Sequence, residues 1–129
     1  MRYLFKIYGV AKAVLSHSEY KAFCNAKAGG YVDIATKNKV ANHVNKMRIA
    51  LNYAINGKKC KWDLSTSEFR KHFNMDMLAE SAGLSKNKMR QVIFEGRELT
   101  YNKRAVLDMI ERGYWEFLSD FSKINFKSK

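Results

Sequence analysis

The chain has 129 residues, of which 47% are hydrophobic, and it contains no proline. This length fits one domain, and the apolar content is sufficient for a packed core, which excludes a disordered chain. The formal net charge of +12 points to an acidic partner, which is nucleic acid in the simplest case and otherwise an anionic membrane or an acidic protein.

The cysteines and the opening residues bear on the cellular compartment. Two cysteines, Cys24 and Cys60, do not make a disulfide framework. The apolar opening is interrupted by Lys6 and is too short for a signal sequence or a membrane span. We therefore expect a cytoplasmic protein with reduced thiols and no membrane partner.

The predicted class is all-α, with about five to six helices. Residues 1–62 are expected to form a basic helical segment. Within it, residues 3–15 have the apolar spacing of a helix, which we favour, but residues 2–10 also fit a short N-terminal strand. Ser18 is expected to cap a second helix that ends before Gly29.

The clearest helix of this segment covers residues 37–55, with Thr36 as its expected cap. Its apolar residues recur every three or four positions, which predicts one buried face. They are Val40, Val44, Met47, Leu51 and Ile55.

Charge is distributed unevenly along the chain. Residues 1–62 carry twelve basic and two acidic residues, whereas residues 63–129 carry twelve basic and ten acidic ones. We expect the first segment to contact phosphates without reading base sequence. The candidates are Lys37, Lys39, Lys46 and Arg48 on the long helix and Lys58, Lys59 and Lys61 after it.

The stretch that joins the two segments allows two interpretations. Trp62 follows the loop lysines, and it either stacks on a base beside them or, as we favour, anchors the loop in the core. Ser65 and Glu68 then have the spacing of a capping box, which predicts a short helix with Phe69 and Phe73 inward.

Residues 74–104 carry the most informative pattern of the chain. Asn74 can cap a short helix, and Leu78 and Ala79 would face inward from it. Gly83 follows and gives a tight turn between two helices the backbone freedom that it needs.

A second helix is predicted after this turn, over residues 86–94. Leu84 would fill the corner between the two helices, and Ser85 can cap the second one. Met89 and Val92 would hold that helix against the core. The side chains left facing outward are Lys86, Asn87, Lys88, Arg90 and Gln91.

These outward side chains are of the types that contact DNA in the major groove. Asparagine and glutamine are suited to adenine, and arginine or lysine to guanine. We therefore expect base-edge contacts from Lys86, Asn87, Arg90 and Gln91.

The pattern resembles the lambda-repressor-like (Cro/C1, XRE) class of helix-turn-helix domains through the stretch Leu78-Ala79-x-x-Ala82-Gly83-Leu84-Ser85-x-x-x-Met89. The resemblance covers about a quarter to a third of the chain. After the turn Ile93 stands where the class usually has a glutamate, and Glu95-Gly96 comes one residue late. The alternative interpretation is an ordinary helical corner, and some helix-turn-helix folds bind proteins.

The resemblance implies a DNA-binding regulator that acts as a homodimer, because one motif reads too few base pairs. It also implies that Ser85 and Lys88 contact phosphates. Arg97, Lys103 and Arg104 are expected to hold the DNA backbone after the motif. The small size of the chain suggests, by analogy, a regulator such as a repressor from a phage or mobile element.

The second segment, residues 63–129, is expected to end in a long helix over 101–121, capped by Thr100. Its wide apolar stripe would close the core, and the remainder suggests a dimer surface. Residues 123–129 are expected to fray.

No motif for a cofactor, a metal or catalysis is present, so an enzyme is not expected. The three histidines have no metal-ligand spacing, although a small nuclease can assemble its site from distant residues. The main functional alternative is a basic adaptor that binds an acidic host protein and uses the helix-turn-helix as a scaffold. RNA binding is a third possibility, with aromatic side chains available for stacking.

Overall fold

The computed structural model describes residues 3–26, 32–58, 71–123 and 126–127. The described ranges form six α-helices and two strands of two residues each, which confirms the predicted mostly helical class. In chain order they are α1 (Ile7–Val14), α2 (His17–Ala26), β1 (Val32–Asp33), α3 (Ile34–Ile55), α4 (Met75–Ala82), α5 (Lys86–Glu95), α6 (Lys103–Phe121) and β2 (Phe126–Lys127).

The predicted apolar face of the long helix is confirmed, because every one of its five residues is buried in α3. The predicted cap was wrong. The helix begins at Ile34, so Thr36 lies inside it and is buried. Val32 and Asp33 form β1 and fix an extended backbone just before the helix, a constraint set by the distant residues with which they pair.

Two other caps were assigned to the wrong residue. At α2 the capping box is Ser16 and Glu19: the Ser16 hydroxyl accepts from the Glu19 N–H at 3.2 Å, and the Ser16 N–H donates to the Glu19 carboxylate at 3.0 Å. At α6 the side chain of Asn102 accepts from the Ala105 N–H at 3.1 Å. Ser18 and Thr100 lose these positions because the reciprocal pair and the asparagine are better capping groups.

Phe5 and residues 126–127, near the two ends of the chain, pair with interior segments. Phe5 forms an antiparallel bridge with Phe73, so the region open to helix or strand holds this bridge first and then α1. The tail was predicted to fray, but β2 pairs in parallel with β1, Phe126 opposite Val32 and Lys127 opposite Asp33.

One continuous core receives side chains from both predicted segments, 1–62 and 63–129. The α3 helix packs against α5 and α6, and Leu4 fills the space left by the missing side chain of Gly113 in α6. Trp62, Ser65, Glu68 and Phe69 lie outside the described residues. Within the described ranges, no helix combines the length and the hydropathy needed to cross a membrane.

Candidate nucleic-acid interface

A tight corner joins α4 to α5. The Asn74 side chain caps α4 by accepting from the Asp76 N–H at 3.1 Å. Gly83 ends the helix with φ of +70°, the left-handed conformation that favours glycine. The N–H of Leu84 returns to the Ala79 carbonyl at 3.0 Å, which closes the last turn. The predicted cap and turn of the first motif helix are therefore confirmed.

The second motif helix is held on one side by the core. Met89, Val92 and Ile93 of α5 are buried, as are Leu78 and Ala79 of α4. Ile93 occupies the position where the repressor class usually has a glutamate, and here this position belongs to the core. The predicted inward set of the motif is confirmed, and the helix extends to Glu95.

The other side of α5 carries the predicted base-edge residues. Lys86 and Asn87 are exposed, whereas Arg90 and Gln91 are half-buried. Arg90 donates to the Asn87 amide oxygen at 3.3 Å, and Arg97 donates to the Gln91 amide oxygen. The oxygen of each amide therefore accepts a bond within the protein, whereas the two NH2 groups have no such bond among the described residues and can donate to a base edge.

Two basic residues of α5 each have a carboxylate nearby. Lys86 lies 3.9 Å from Asp76, and Arg90 lies 3.6 Å from Glu95. Ion pairs that are this open to water contribute little, because solvent screens them. Lys88 adds a further positive charge to this helix, and the two ion pairs are weak enough to open when an anionic partner binds.

Ser85 has a structural role at the start of α5. Its hydroxyl accepts from the Lys88 N–H at 3.2 Å, which confirms it as the helix cap. While its oxygen accepts this bond, the Ser85 hydroxyl can still donate its proton to another acceptor, such as a phosphate oxygen. Ser85 and Lys88, the two phosphate contacts implied by the resemblance, are both exposed at this end of the helix.

Three other predicted phosphate contacts come together at one cleft. Lys58 follows α3, Arg97 follows α5 and Lys103 begins α6, and all three line a cleft of about 970 Å³. Glu95 and Glu98 line it as well, so the cleft carries both signs of charge. Arg104 is exposed on the next position of α6 but is not among the lining residues.

Tyr101 connects this cleft to the core. Its hydroxyl lies 3.5 Å from the carbonyl oxygen of Ile55, and its ring is half-buried. Burial raises the pKa of the Tyr101 phenol, so the side chain stays neutral and retains its proton.

Two basic residues of α3, Lys39 and Arg48, form bonds to other helices of the protein. Lys39 donates to the Glu19 carboxylate of α2 at 2.7 Å. This bond, with the Ser16 N–H, lowers the pKa of Glu19 to about 2. Lys39 lies about 24 Å along the helix from its other end at Ile55, given a rise of 1.5 Å per residue. It is thus far from the cleft that Lys58 lines.

The Arg48 side chain contacts three other residues of the described chain. It donates to Glu111 of α6 and to the Asn45 side chain, each at 2.9 Å. Its guanidinium also lies 4.1 Å from the centre of the Tyr114 ring. The phosphate contact of Arg48 stays a prediction, and in the structure this side chain joins α3 to α6.

The remaining candidates differ in how the structure accounts for them. Lys37 is half-buried and Lys46 is exposed on α3, and both have interactions within the protein. Lys59, Lys61 and Cys60 lie outside the described residues. Cys24, on α2, is a free thiol.

Two basic residues that sequence reasoning did not select lie beside the motif. Lys6 and Lys71 line a groove of about 350 Å³ together with Lys86, the first residue of α5. They are brought there by the antiparallel bridge between Phe5 and Phe73. The aromatic and branched residues near Lys6 were a signal for extended structure, but they did not identify Phe73 as the partner.

Two of the three histidines, His43 and His72, pack against each other, whereas His17 is exposed at the start of α2. His72 is buried, and its ring meets that of His43 edge to face at a centroid distance of 5.4 Å. In the part of the chain that is described, no three histidine, cysteine or acidic side chains converge as metal ligands do.

Compared with known proteins, the chain has no significant match to a family model, a curated protein or a solved structure. The resemblance to the lambda-repressor-like class remains a prediction that the residues of the motif carry.

Proposed function

We propose that this protein is a sequence-specific double-stranded DNA-binding protein that reads the major groove with α5. The observation that carries the proposal is the α4–Gly83–α5 corner. Both of its helices are capped by side chains, one face is anchored by buried residues, and the opposite face presents amide and basic groups. A corner of this kind holds a short helix rigidly at the protein surface, as major-groove readout requires.

The dimensions of α5 also suit this role. An α-helix with its side chains is about 10–12 Å across, which fits the major groove, about 12 Å wide. The ten residues of α5 span about 15 Å along the helix axis. A helix of this length contacts only a few base pairs. We therefore expect a homodimer on an inverted repeat whose half-sites lie about one helical turn, roughly 34–36 Å, apart.

The net charge of +12 supports a polyanionic partner. The role that we propose is that of a transcriptional regulator, such as a repressor from a phage or mobile element, acting in the cytoplasm. Phosphate contacts would supply most of the affinity, and α5 would supply the preference for one sequence.

The decisive experiment compares two double variants with the same number of amide side chains removed. Asn87→Ala with Gln91→Ala removes two amides from the face of α5 that is proposed to contact bases. Asn38→Ala with Asn42→Ala is the control and removes two exposed amides from α3. Affinity is measured for a preferred duplex and for an unrelated duplex. The α5 variant should lower the preference about 10- to 100-fold, at about 1–3 kcal/mol for a good base contact.

Two results would weigh against the proposal. An unchanged preference in the α5 variant would show that these side chains do not read bases. Binding that depends on salt but ignores sequence would favour the basic adaptor, with an acidic host protein as its partner.

A further inference from the structure

We propose that the groove between Lys6, Lys71 and Lys86 is a binding site for a backbone phosphate of duplex DNA, built mainly by residues outside the helix-turn-helix. This inference rests on the proposed function and names a contact surface beyond the motif. Lys6 precedes α1 and Lys71 precedes α4, and neither belongs to the stretch that resembles the repressor class.

Backbone pairing fixes the walls of the groove. The Lys6 N–H donates to the His72 carbonyl at 2.8 Å, and the Asn74 N–H donates to the Leu4 carbonyl at 2.7 Å. Between these bonds, Phe5 and Phe73 are bridged, and their side chains are fully buried. The groove lysines are therefore attached to backbone that the core holds in place.

Gly9 allows the two segments to come this close. A Cβ atom at this position would lie 2.7 Å from the carbonyl oxygen of Lys71, which is too short for a real contact. The absent side chain lets α1 pack directly on the backbone that carries Lys71. Gly9 therefore lets α1 approach the backbone of Lys71 closely, which brings Lys6 and Lys71 together.

The charge of the groove is unbalanced. Among the residues that the structure describes, three lysines line it with one carboxylate, Asp76, which lies 3.9 Å from Lys86. Both members of that pair are more than half exposed, so solvent screens their attraction. Ammonium groups crowded around one groove favour an anion, and lysine binds phosphate as a compact point charge.

Position favours a DNA phosphate over a free anion. Lys86 is both a wall of the groove and the first residue of α5. In a helix-turn-helix complex the first helix crosses the DNA backbone while the N-terminal residues of the second reach the base edges. The groove lies between the start of α4 and the start of α5, which places it beside that backbone. In this arrangement Lys6 and Lys71 contact a backbone phosphate at the edge of the base-reading face of α5, which begins at Lys86.

The test measures how affinity for a mixed-sequence duplex depends on salt concentration. Lys6→Ala with Lys71→Ala is compared with Lys12→Ala with Lys21→Ala, which removes two exposed lysines outside the groove. Each lysine in direct phosphate contact contributes about 0.9 to the slope of log affinity against log salt. The groove variant should therefore reduce the slope by roughly 2 relative to the control pair. Lys6→Arg with Lys71→Arg should retain the wild-type slope.

The outcomes separate this inference from the proposed function. Equal slopes for the groove variant and the control pair would overturn the groove site and leave DNA binding by α5 intact. Failure of the wild-type protein to bind any duplex would overturn both. A lower slope with an unchanged sequence preference would support the groove as a phosphate site, because backbone contacts carry no sequence information.

Discussion

Arg48 of α3 donates a hydrogen bond to Glu111 of α6 at 2.9 Å, across 63 positions of the chain. The same guanidinium donates to Asn45 and lies over the ring of Tyr114. The side chain is 23% exposed, so these contacts are only partly screened by water. Arg48 thereby joins the two longest helices of the described chain.

We predict that Arg48→Ala mainly destabilises the fold. Loss of a charge-assisted hydrogen bond and of a cation–π contact should lower the free energy of unfolding by about 1–2 kcal/mol. Arg112→Ala, an exposed change on α6, is the control and should alter stability by less than about 0.5 kcal/mol. Urea denaturation measures both. A stable Arg48→Ala protein that binds DNA much less tightly would instead identify Arg48 as a phosphate contact.

The basic residues illustrate how far the sequence alone could lead. Local patterns identified the buried face of α3 and the caps Asn74 and Ser85, because neighbouring residues decide them. The roles of Arg48 and Lys39 were beyond such reasoning, since their partners Glu111 and Glu19 come from other helices. The numbers of basic and acidic residues give the net charge of the chain, but they do not show which lysines and arginines already form ion pairs within the protein.

The groove shows that sequence patterns can also miss a candidate contact residue. Lys6 and Lys71 have no distinguishing local pattern, and they become neighbours only through the bridge between Phe5 and Phe73. Misplaced caps have a more local cause. Ser16 and Asn102 each lie two residues from the predicted cap and occupy the capping position instead. Small differences in capping strength decide between such close neighbours.

Substitution of Ser85 can separate its role in folding from its role at the interface. Ser85→Ala removes the cap of α5 and should cost about 1 kcal/mol of stability. Ser85→Asp keeps a good capping group but places a negative charge near the expected phosphates. It should therefore retain thermal stability and weaken binding to all duplexes.

The matched control for the aspartate is Ser18→Asp, which adds an acid to the first turn of α2. Thermal melts and fluorescence anisotropy with labelled duplex provide the two readouts. Equal DNA affinity for Ser85→Asp and Ser18→Asp would place Ser85 away from the DNA backbone.

Gly113 offers a test of the packing between α6 and the opening residues. Alanine normally stabilises a helix interior relative to glycine by up to about 1 kcal/mol. Here an added Cβ would lie 2.6 Å from the Cβ of Leu4, which is fully buried. We predict that Gly113→Ala destabilises the protein by about 1–3 kcal/mol through overpacking.

Urea denaturation measures this effect, and Ser119→Ala on the exposed side of α6 serves as the control. The change should be coupled to Leu4. Leu4→Gly combined with Gly113→Ala should cost less than the sum of the two single changes, because Leu4→Gly removes the Cβ and Cδ2 atoms that the added methyl group would meet. Stabilisation by Gly113→Ala alone would contradict the packing described for these residues.

The Glu19 carboxylate should make stability depend on pH. Its bond to Lys39, followed by the bond from Ser16, lowers its pKa from 4.5 to about 2 in the folded protein. The unfolded chain binds this proton more readily, so the ionised carboxylate stabilises the fold above about pH 4.5. That contribution is lost as the pH falls toward about 2.

The measurement compares the urea midpoint of the wild-type protein with that of Glu19→Gln. The variant should be less stable at neutral pH, and the difference should shrink as the pH falls through this window. Glu98→Gln, a change at an exposed glutamate, should show a smaller difference. A difference between wild type and Glu19→Gln that is constant with pH would contradict the role given to this carboxylate.

Selection from random duplex DNA tests the central claim most directly. The wild-type protein is incubated with the pool at near-physiological salt and excess competitor, in parallel with Asn87→Ala/Gln91→Ala. We predict that the wild type recovers a defined site, an inverted repeat with half-sites about one helical turn apart, and that the variant loses or changes it. Recovery of no preferred sequence by the wild type, with only salt-sensitive binding, would contradict reading of DNA by α5.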